Sequence, residues 1–375
     1  MKAAIAGVGQ TEYSKDSGRT ELALACEAVD KALADAAIPR AEVDAVIRYD
    51  WDRIDELSLA THLGLKNLGW MSQAGDGGPA GNAIIHHAAA AIEAGLATTV
   101  VCYRALNGRT GPRIGHGPGE ASGAEAFQMP WGMVSPVTQF GQFARRHMVT
   151  YGTTSEQFGA VAVAARRHAS HNPAAVMRGP MSLADHQASR LIADPLRLFD
   201  CCLETDGACA LVLTSAERAS HGPNPAIEVL AGAQASGPGG AAVVFRDQLD
   251  VSEATHCAAD LYRRAGLGPA DVDVVMVYDH FTPFVLFALE AFGLCERGEA
   301  GAFAAEGGIE HGGRLPVNTH GGNLSEAYLQ GLSHPIEAVR QLRGEAALQV
   351  DGARVALSCA ASAGTASAVL LRGAG

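Results

Sequence analysis

Residues 312–331 read GGRLPVNTHGGNLSEAYLQG and hold the densest set of groups that could do chemistry. The polar cluster Asn318-Thr319-His320 precedes the pair Gly321-Gly322, and an apolar-periodic segment, 324–342, follows at once. Glycine lets the backbone turn where a side chain would block it. A helix that begins there presents free N–H groups and a positive dipole end. Such a terminus suits a polarised carbonyl or a developing oxyanion, with His320 as a side-chain donor. A second chemistry is offered by Arg104, Arg109 and Arg113, clustered after an apolar run. Guanidinium groups match phosphates, so this cluster is a candidate phosphate site. Arg145-Arg146 and Arg166-Arg167 offer the same chemistry from helical patterns. Histidines 86, 87, 147, 168 and 171 also fall on helical patterns, and no two combine with carboxylates into a metal set.

The elements that must position these groups follow from periodicity. Strands are expected at 2–7, 43–49 and 98–103. Helices are expected at 20–37, with apolar positions 22, 26, 29 and 33, at 54–64, and from Gly77-Gly78 to 94. From 106 to 195 the pattern loosens into helices near 138–151, 154–171 and 182–191, and a strand returns at 208–214. The series then restarts with strand 227–233, helix 252–265, strand 273–278 and helix 282–293. The glycine stretch feeds one continuous helix to 343, and strands 354–359 and 367–371 close the chain.

That restart is a repeat. Residues 42–65 align without a gap to 271–294. Val43, Asp44, Val46, Tyr49, Asp50, Gly64 and Leu65 match Val272, Asp273, Val275, Tyr278, Asp279, Gly293 and Leu294. Gly77-Gly78 and its helix correspond to Gly321-Gly322 and its helix. Duplication of an α/β unit is the reading, with a site where equivalent loops of the two halves meet. The expected division is 1–105 with 200–220 as the first half, 106–199 as an inserted loop region, and 221–375 as the second half.

A net charge of −12 argues against nucleic acid as the main partner. Eight cysteines occur without any CxxC pair, which points to free thiols in a reducing cytoplasm. The first residues read as a strand, not a signal peptide, and no run is long and apolar enough to span a membrane.

Pro316 to Gly322, Tyr278-Asp279-His280-Phe281, Asp200-Cys201-Cys202 with Asp206-Gly207-Ala208, and Arg104 to Arg109 occur in the order and spacing of a known family. The chain resembles the thiolase superfamily over almost its full length, and more closely the lipid-transfer-protein or sterol-carrier-thiolase branch. The resemblance implies a thiolase fold, a duplicated five-layer α-β-α-β-α structure with an inserted loop domain. The departures from the family are informative. The family's nucleophilic cysteine, at the start of the buried helix of the first half, corresponds to Gly78, and no cysteine lies between Cys26 and Cys102. Glycine has no nucleophile, so the usual acyl-enzyme route is closed. Two family histidines correspond to Tyr278 and Tyr328. Ser333-His334-Pro335 mimics the family's Gly-His-Pro, but using it needs a six-residue insertion, so it is set aside. The family's second cysteine falls at Ala360 or Cys359.

This pattern resembles the steroid side-chain aldolases. It implies retro-aldol cleavage of a β-hydroxyacyl-CoA to a ketone and a short acyl-CoA. It also implies coenzyme A as part of the substrate with no resident cofactor or metal, a homodimer, and a small zinc-ribbon/OB-fold partner. Tyr278 and Tyr328 become the acid/base pair in either order. His320, with Gly78, Asn318, Gly321 and Gly322, becomes the candidate set for the thioester oxygen. Arg104, Arg109 and Arg113 become candidates for the CoA phosphates. Asp279 orients a neighbour or caps the helix at 282, and His280 is structural. The competing readings are an inactive acyl-CoA or lipid-binding subunit and a Claisen-type acyltransferase component. The missing cysteine disfavours the acyltransferase, and the paired tyrosines favour the aldolase over the inactive subunit.

Overall fold

The computed structural model describes residues 2–75, 77–112, 123–237, 240 and 242–373. Arg113 lies outside them. The first half runs β1 (Ala3–Gln10), α1 (Glu21–Ala36), β2 (Ala45–Tyr49), α2 (Glu56–Leu63), β3 (Trp70–Ala74), α3 (Ala80–Glu93) and β4 (Thr99–Asn107). An excursion follows with α4 (Glu125–Gln128), α5 (Pro136–Tyr151), α6 (Ser155–His171), α7 (Leu183–Ala188) and the hairpin β5 (Leu191–Ala193) with β6 (Leu196–Arg197). The chain returns through β7 (Asp206–Ser215) and α8 (Ala216–Ala219). The second half runs β8 (Ile227–Ser236), α9 (Ser252–Ala265), β9 (Val274–Val277), α10 (Thr282–Ala291), α11 (Ala300–Ala305), α12 (Gly322–Ser325), α13 (Ser333–Arg343), β10 (Val355–Ser362) and β11 (Thr365–Arg372).

The strand order is β3-β2-β4-β7-β1-β8-β11-β10-β9, which is nearly a mirror about its centre. A parallel bridge from Val275 to Val317 supplies the counterpart of β3. The halves join where β1 meets β8 through Ala4↔Glu228 and Ile5↔Ile227. The two expected sheets therefore share a short hydrogen-bonded seam.

Alternation along each strand sorts the core into layers. Val101, Tyr103, Ala210 and Val212 face outward onto α1. Their neighbours Val100, Cys102, Leu211 and Leu213 face inward, as do Val274, Met276, Val369 and Leu371 from the other half. Between them lie Ile84, Ile85 and Ala88 of α3 and Ile336 and Val339 of α13. On the far side Val275, Val277, Leu357 and Leu370 pack with Cys257, Leu261 and the Phe284–Phe292 face of α10. This gives helix, sheet, helix pair, sheet, helix, the expected five layers.

Two local expectations fail, and both move the site. The helix expected across 324–342 breaks after one turn into α12 and restarts at Ser333. Pro335 has no N–H, so a helix could not run through it without losing a bond. Gln330 and Gly331, at φ 51° and 89°, turn the chain back between the two pieces. In addition, β4 runs four residues beyond the expected end, so Arg104 lies inside a strand opposite Cys209 instead of in a loop.

Candidate active site

Tyr278 follows the last residue of β9, and Tyr328 sits in the irregular segment between α12 and α13. Their hydroxyls are 3.3 Å apart. The Tyr278 backbone N–H is fixed by the Cys359 carbonyl at 2.9 Å. The Tyr328 N–H donates to Thr205 Oγ1 at 2.8 Å. A Cβ at Gly78 would lie 1.9 Å from Cε1 and 2.2 Å from Cζ of Tyr278. The phenol ring thus occupies the space a side chain at position 78 would need. Gly331 closes the opposite edge of the ring, where a Cβ would meet Cδ2 at 2.7 Å. His280 stacks on the ring at 4.7 Å and 19°.

Neither phenol is ionised near neutral pH. Burial raises Tyr278 well above its ordinary value, and Tyr328, Tyr49 and Cys202 add to the rise. Burial and Cys202 also raise Tyr328, but the bond from Tyr278, the Arg104 charge and the Gln330 amide pull it back. The two phenols are therefore not equivalent.

The glycine turn is occupied differently from the expectation. Asp279 accepts from the N–H groups of Asn323 at 2.7 Å and Leu324 at 3.3 Å. A Cβ at Gly322 would lie 2.0 Å from its Oδ2, which is why glycine stands there. Asp279 caps α12, not the helix at 282, and it takes up the amides of Asn323 and Leu324. Asn318 is spent as well: its Oδ1 accepts from Val277 N at 2.7 Å and its Nδ2 donates to Val277 O at 2.8 Å. Gly321 N donates to Asn318 O at 2.8 Å.

His320 is buried behind the pair. Neither ring nitrogen is hydrogen-bonded. Its ring lies 4.9 Å from that of His334, and Nε2 is 3.7 Å from Glu326 Oε2. Burial holds His320 well below the usual imidazole range. His334, set aside as a decoy in the sequence, reaches the site through space: Nε2 bonds Asp279 Oδ1 at 3.0 Å, and its ring is 6.4 Å from Tyr278. Glu326 is pushed up to about 8, first by burial and then by Glu337. A carboxyl whose folded pKa is raised keeps its proton where the unfolded chain loses one. Its contribution therefore makes stability fall as pH rises from about 4.5 to about 8. Glu326→Gln is expected to flatten that fall, as read by urea unfolding at pH 5 and pH 8.

The arginine cluster divides. Arg104 is 2% exposed, ion-paired to Asp52 Oδ2 at 3.1 Å, lies over the Tyr49 ring and donates to Gln330 Oε1. It is engaged inside the protein and not presented to solvent as a loop cation would be. Arg109 is exposed beside Glu204 and lines a cleft of about 690 Å³ together with Lys15, Arg166 and Arg190. Met181 and Phe199 give the same cleft an apolar wall, and Cys202 also lines it. The Cys359 side chain packs in the outer core, away from α3. Sequence reasoning missed Cys202, Gln330 and His334 as neighbours of the pair, and Glu326 beside His320. The adjacent Cys201-Cys202 and the Ser-His-Pro triplet were visible signals, while Gln330 carried none. Among the described residues no group of three His, Cys, Asp or Glu could hold a metal, and no helix is long and apolar enough to cross a membrane.

A duplicated α/β half, a buried helix pair between sheets and a site at its N-terminal ends define a class. The chain belongs to the thiolase superfamily. Residues 240–371 match the family model described as thiolase C-terminal domain-like. Within the superfamily, the chain is 45% identical to a steroid side-chain-cleaving aldolase of Thermomonospora curvata, over 91% of this chain and 90% of that one. It is 44% identical to a 17-hydroxy-3-oxo-4-pregnene-20-carboxyl-CoA lyase of Mycobacterium tuberculosis, over 99% of both chains. The solved structure of an Ltp2–ChsH2(DUF35) aldolase superposes with a TM-score of 0.94 at 43% identity, over 99% of this chain and 98% of that one.

Proposed function

We propose that this chain cleaves a β-hydroxyacyl-CoA with a bulky, steroid-like side chain into a ketone and a short acyl-CoA by retro-aldol chemistry. The observation that carries this reading is the Tyr278–Tyr328 pair at 3.3 Å, with the Tyr278 ring in the place of a side chain at Gly78. Two neutral phenols in contact can pass protons without either becoming fully charged, because each both donates and accepts. One phenol accepts the proton of the β-hydroxyl as the Cα–Cβ bond breaks and the ketone forms. The bonding pair goes to the thioester enolate. The other phenol gives its proton to Cα, and one proton crossing between the two oxygens balances the exchange. His280, neutral because burial lowers its pKa to about 3, is stacked on the Tyr278 ring and joins His320 as a candidate donor to the thioester oxygen.

The cleft with Lys15, Arg109, Arg166 and Arg190 suits an elongated substrate with phosphates at one end and an apolar body at the other. We assign the CoA phosphates there, keeping Arg109 and dropping Arg104. A homodimer is supported by β3, an edge strand with Met71 46% exposed and Trp51 and Leu57 exposed nearby. A small zinc-ribbon/OB-fold partner is supported by the DUF35 protein in the related aldolase assembly. Eight free thiols fit a cytoplasmic setting. The test is to incubate the chain and its partner with a β-hydroxyacyl-CoA carrying a fused-ring body. Ketone and short acyl-CoA in equal amounts are expected. Tight binding of the thioester with no product would favour an inactive binding subunit instead.

A further inference from the structure

We infer that Arg166 anchors a phosphate of coenzyme A: it is a buried guanidinium at the cleft wall with no counter-charge in the protein, and the ligand supplies the anion. The inference rests on the proposed acyl-CoA substrate and separates Arg166 from Lys15, Arg109 and Arg190, the other cations of the cleft.

A buried charge is costly unless it is paired. Elsewhere this protein keeps to that rule. Three further arginine side chains are buried, and each is answered by a carboxylate. Arg104 meets Asp52 at 3.1 Å, Arg246 meets Glu253 at 2.9 Å and Arg343 meets Asp35 at 2.8 Å. Arg166, 7% exposed, has only neutral partners among the described residues. Its Nε donates to Ser325 Oγ at 3.0 Å, and Nη1 reaches the Gly179 carbonyl at 3.5 Å. Its guanidinium lies 5.8 Å from the centre of the Phe199 ring. No hydrogen bond within the described residues takes up Nη2. Burial pulls Arg166 below its ordinary pKa, and no neighbouring carboxylate lifts it back.

The helix that carries Arg166 is fixed in place. A Cβ at Gly321 would lie 2.6 Å from Cβ of Ala169, so α6 is pressed against the glycine turn. His168 Nδ1 contacts the Asn318 carbonyl at 3.1 Å, and Asn172 Nδ2 donates to the His320 carbonyl at 3.0 Å. These contacts hold the stem of Arg166 at the cleft wall. The other cations of the cleft are already served. Arg109 has Glu204 at 3.0 Å, and Lys15 and Arg190 are exposed to water. The hydroxyl, the thioester and an apolar ring body carry no charge, so the anions of the proposed substrate are its phosphates. A guanidinium fork matches a phosphate with two parallel bonds.

The competing role is a strut that ties α6 to α12 through Ser325. The two roles predict opposite signs. Loss of a strut weakens the empty protein, whereas replacing an unanswered buried charge by an apolar side chain does not. Arg166→Met keeps an unbranched stem and removes the charge. Its ligand-free urea midpoint is expected to equal or exceed that of the wild type. Its Kd for coenzyme A, read by calorimetry, should rise about 10–100-fold. Coenzyme A at a concentration that raises the wild-type midpoint should leave that of the variant unmoved. Pantetheine, which lacks every phosphate, should not distinguish the two proteins. Arg166→Lys, with the charge but not the fork, should fall between them. An unchanged Kd for coenzyme A in Arg166→Met, an equal loss for pantetheine, or a less stable ligand-free variant would each overturn the inference. Coenzyme A binding that depends on Arg166, in a protein that cleaves no β-hydroxyacyl-CoA, would overturn the aldolase reading and leave the anchor standing.

Discussion

Replacing either phenol of the pair by phenylalanine should lower kcat by about 10²–10⁴-fold, the range expected when a positioned acid or base is removed. That corresponds to about 3–5 kcal/mol of barrier. The fold should tolerate both changes. Each ring stays packed, and the loss is one hydroxyl–hydroxyl contact, worth about 1 kcal/mol. The single variants and the double variant Tyr278→Phe/Tyr328→Phe should be nearly equal in rate, because the two oxygens pass one proton between them and neither works alone. Cleavage is followed by ketone release, and integrity by circular dichroism and urea midpoint. Additive losses would mean two independent groups, and undiminished cleavage in either single variant would remove the pair from the mechanism.

The second large effect concerns a residue with no functional group. Gly78→Ala places a Cβ 1.9 Å from Tyr278 Cε1. The ring has nowhere to go. Its other edge meets the Gly331 backbone, and its face meets His280. Overpacking at such a site is expected to destabilise the fold by about 3 kcal/mol, and cleavage should be lost because the ring is pushed off Tyr328. Gly78→Ala combined with Tyr278→Ala should recover most of the lost stability but none of the activity. The pair would then show a strong favourable coupling in a double-mutant cycle from urea unfolding. Full additivity would mean that the backbone at 78 relaxes and the close approach is not the constraint.

The fold was legible because it is written twice. The aligned segments 42–65 and 271–294 contain matching strands, helices and terminal Gly-Leu, and alternation along the strands sets which face each residue takes. Gly78 and the two tyrosines were legible through their alignment with family positions. What failed had a physical cause in each case. Arg104 looked like a loop cation because charge inside a strand is unusual, and its partners Asp52 and Gln330 are remote in sequence. The broken helix around Tyr328 depends on Gln330 adopting a conformation its residue type does not predict. His334 was dismissed on spacing, yet the break between α12 and α13 turns it back onto Asp279. The glycine turn was recognised as a place for negative charge. The charge it holds is a carboxylate of the protein's own.

The mutual exclusion of a side chain at 78 and the ring at 278 also has a meaning for descent. A thiolase-like ancestor with cysteine at this position could not acquire the tyrosine while the cysteine remained, and this chain cannot regain the cysteine while the tyrosine stands. The clash falls only on the state that holds both side chains, so the cysteine has to leave before the tyrosine enters. A chain with tyrosine at 278 is therefore held away from the acyl-enzyme route by a steric lock one residue wide.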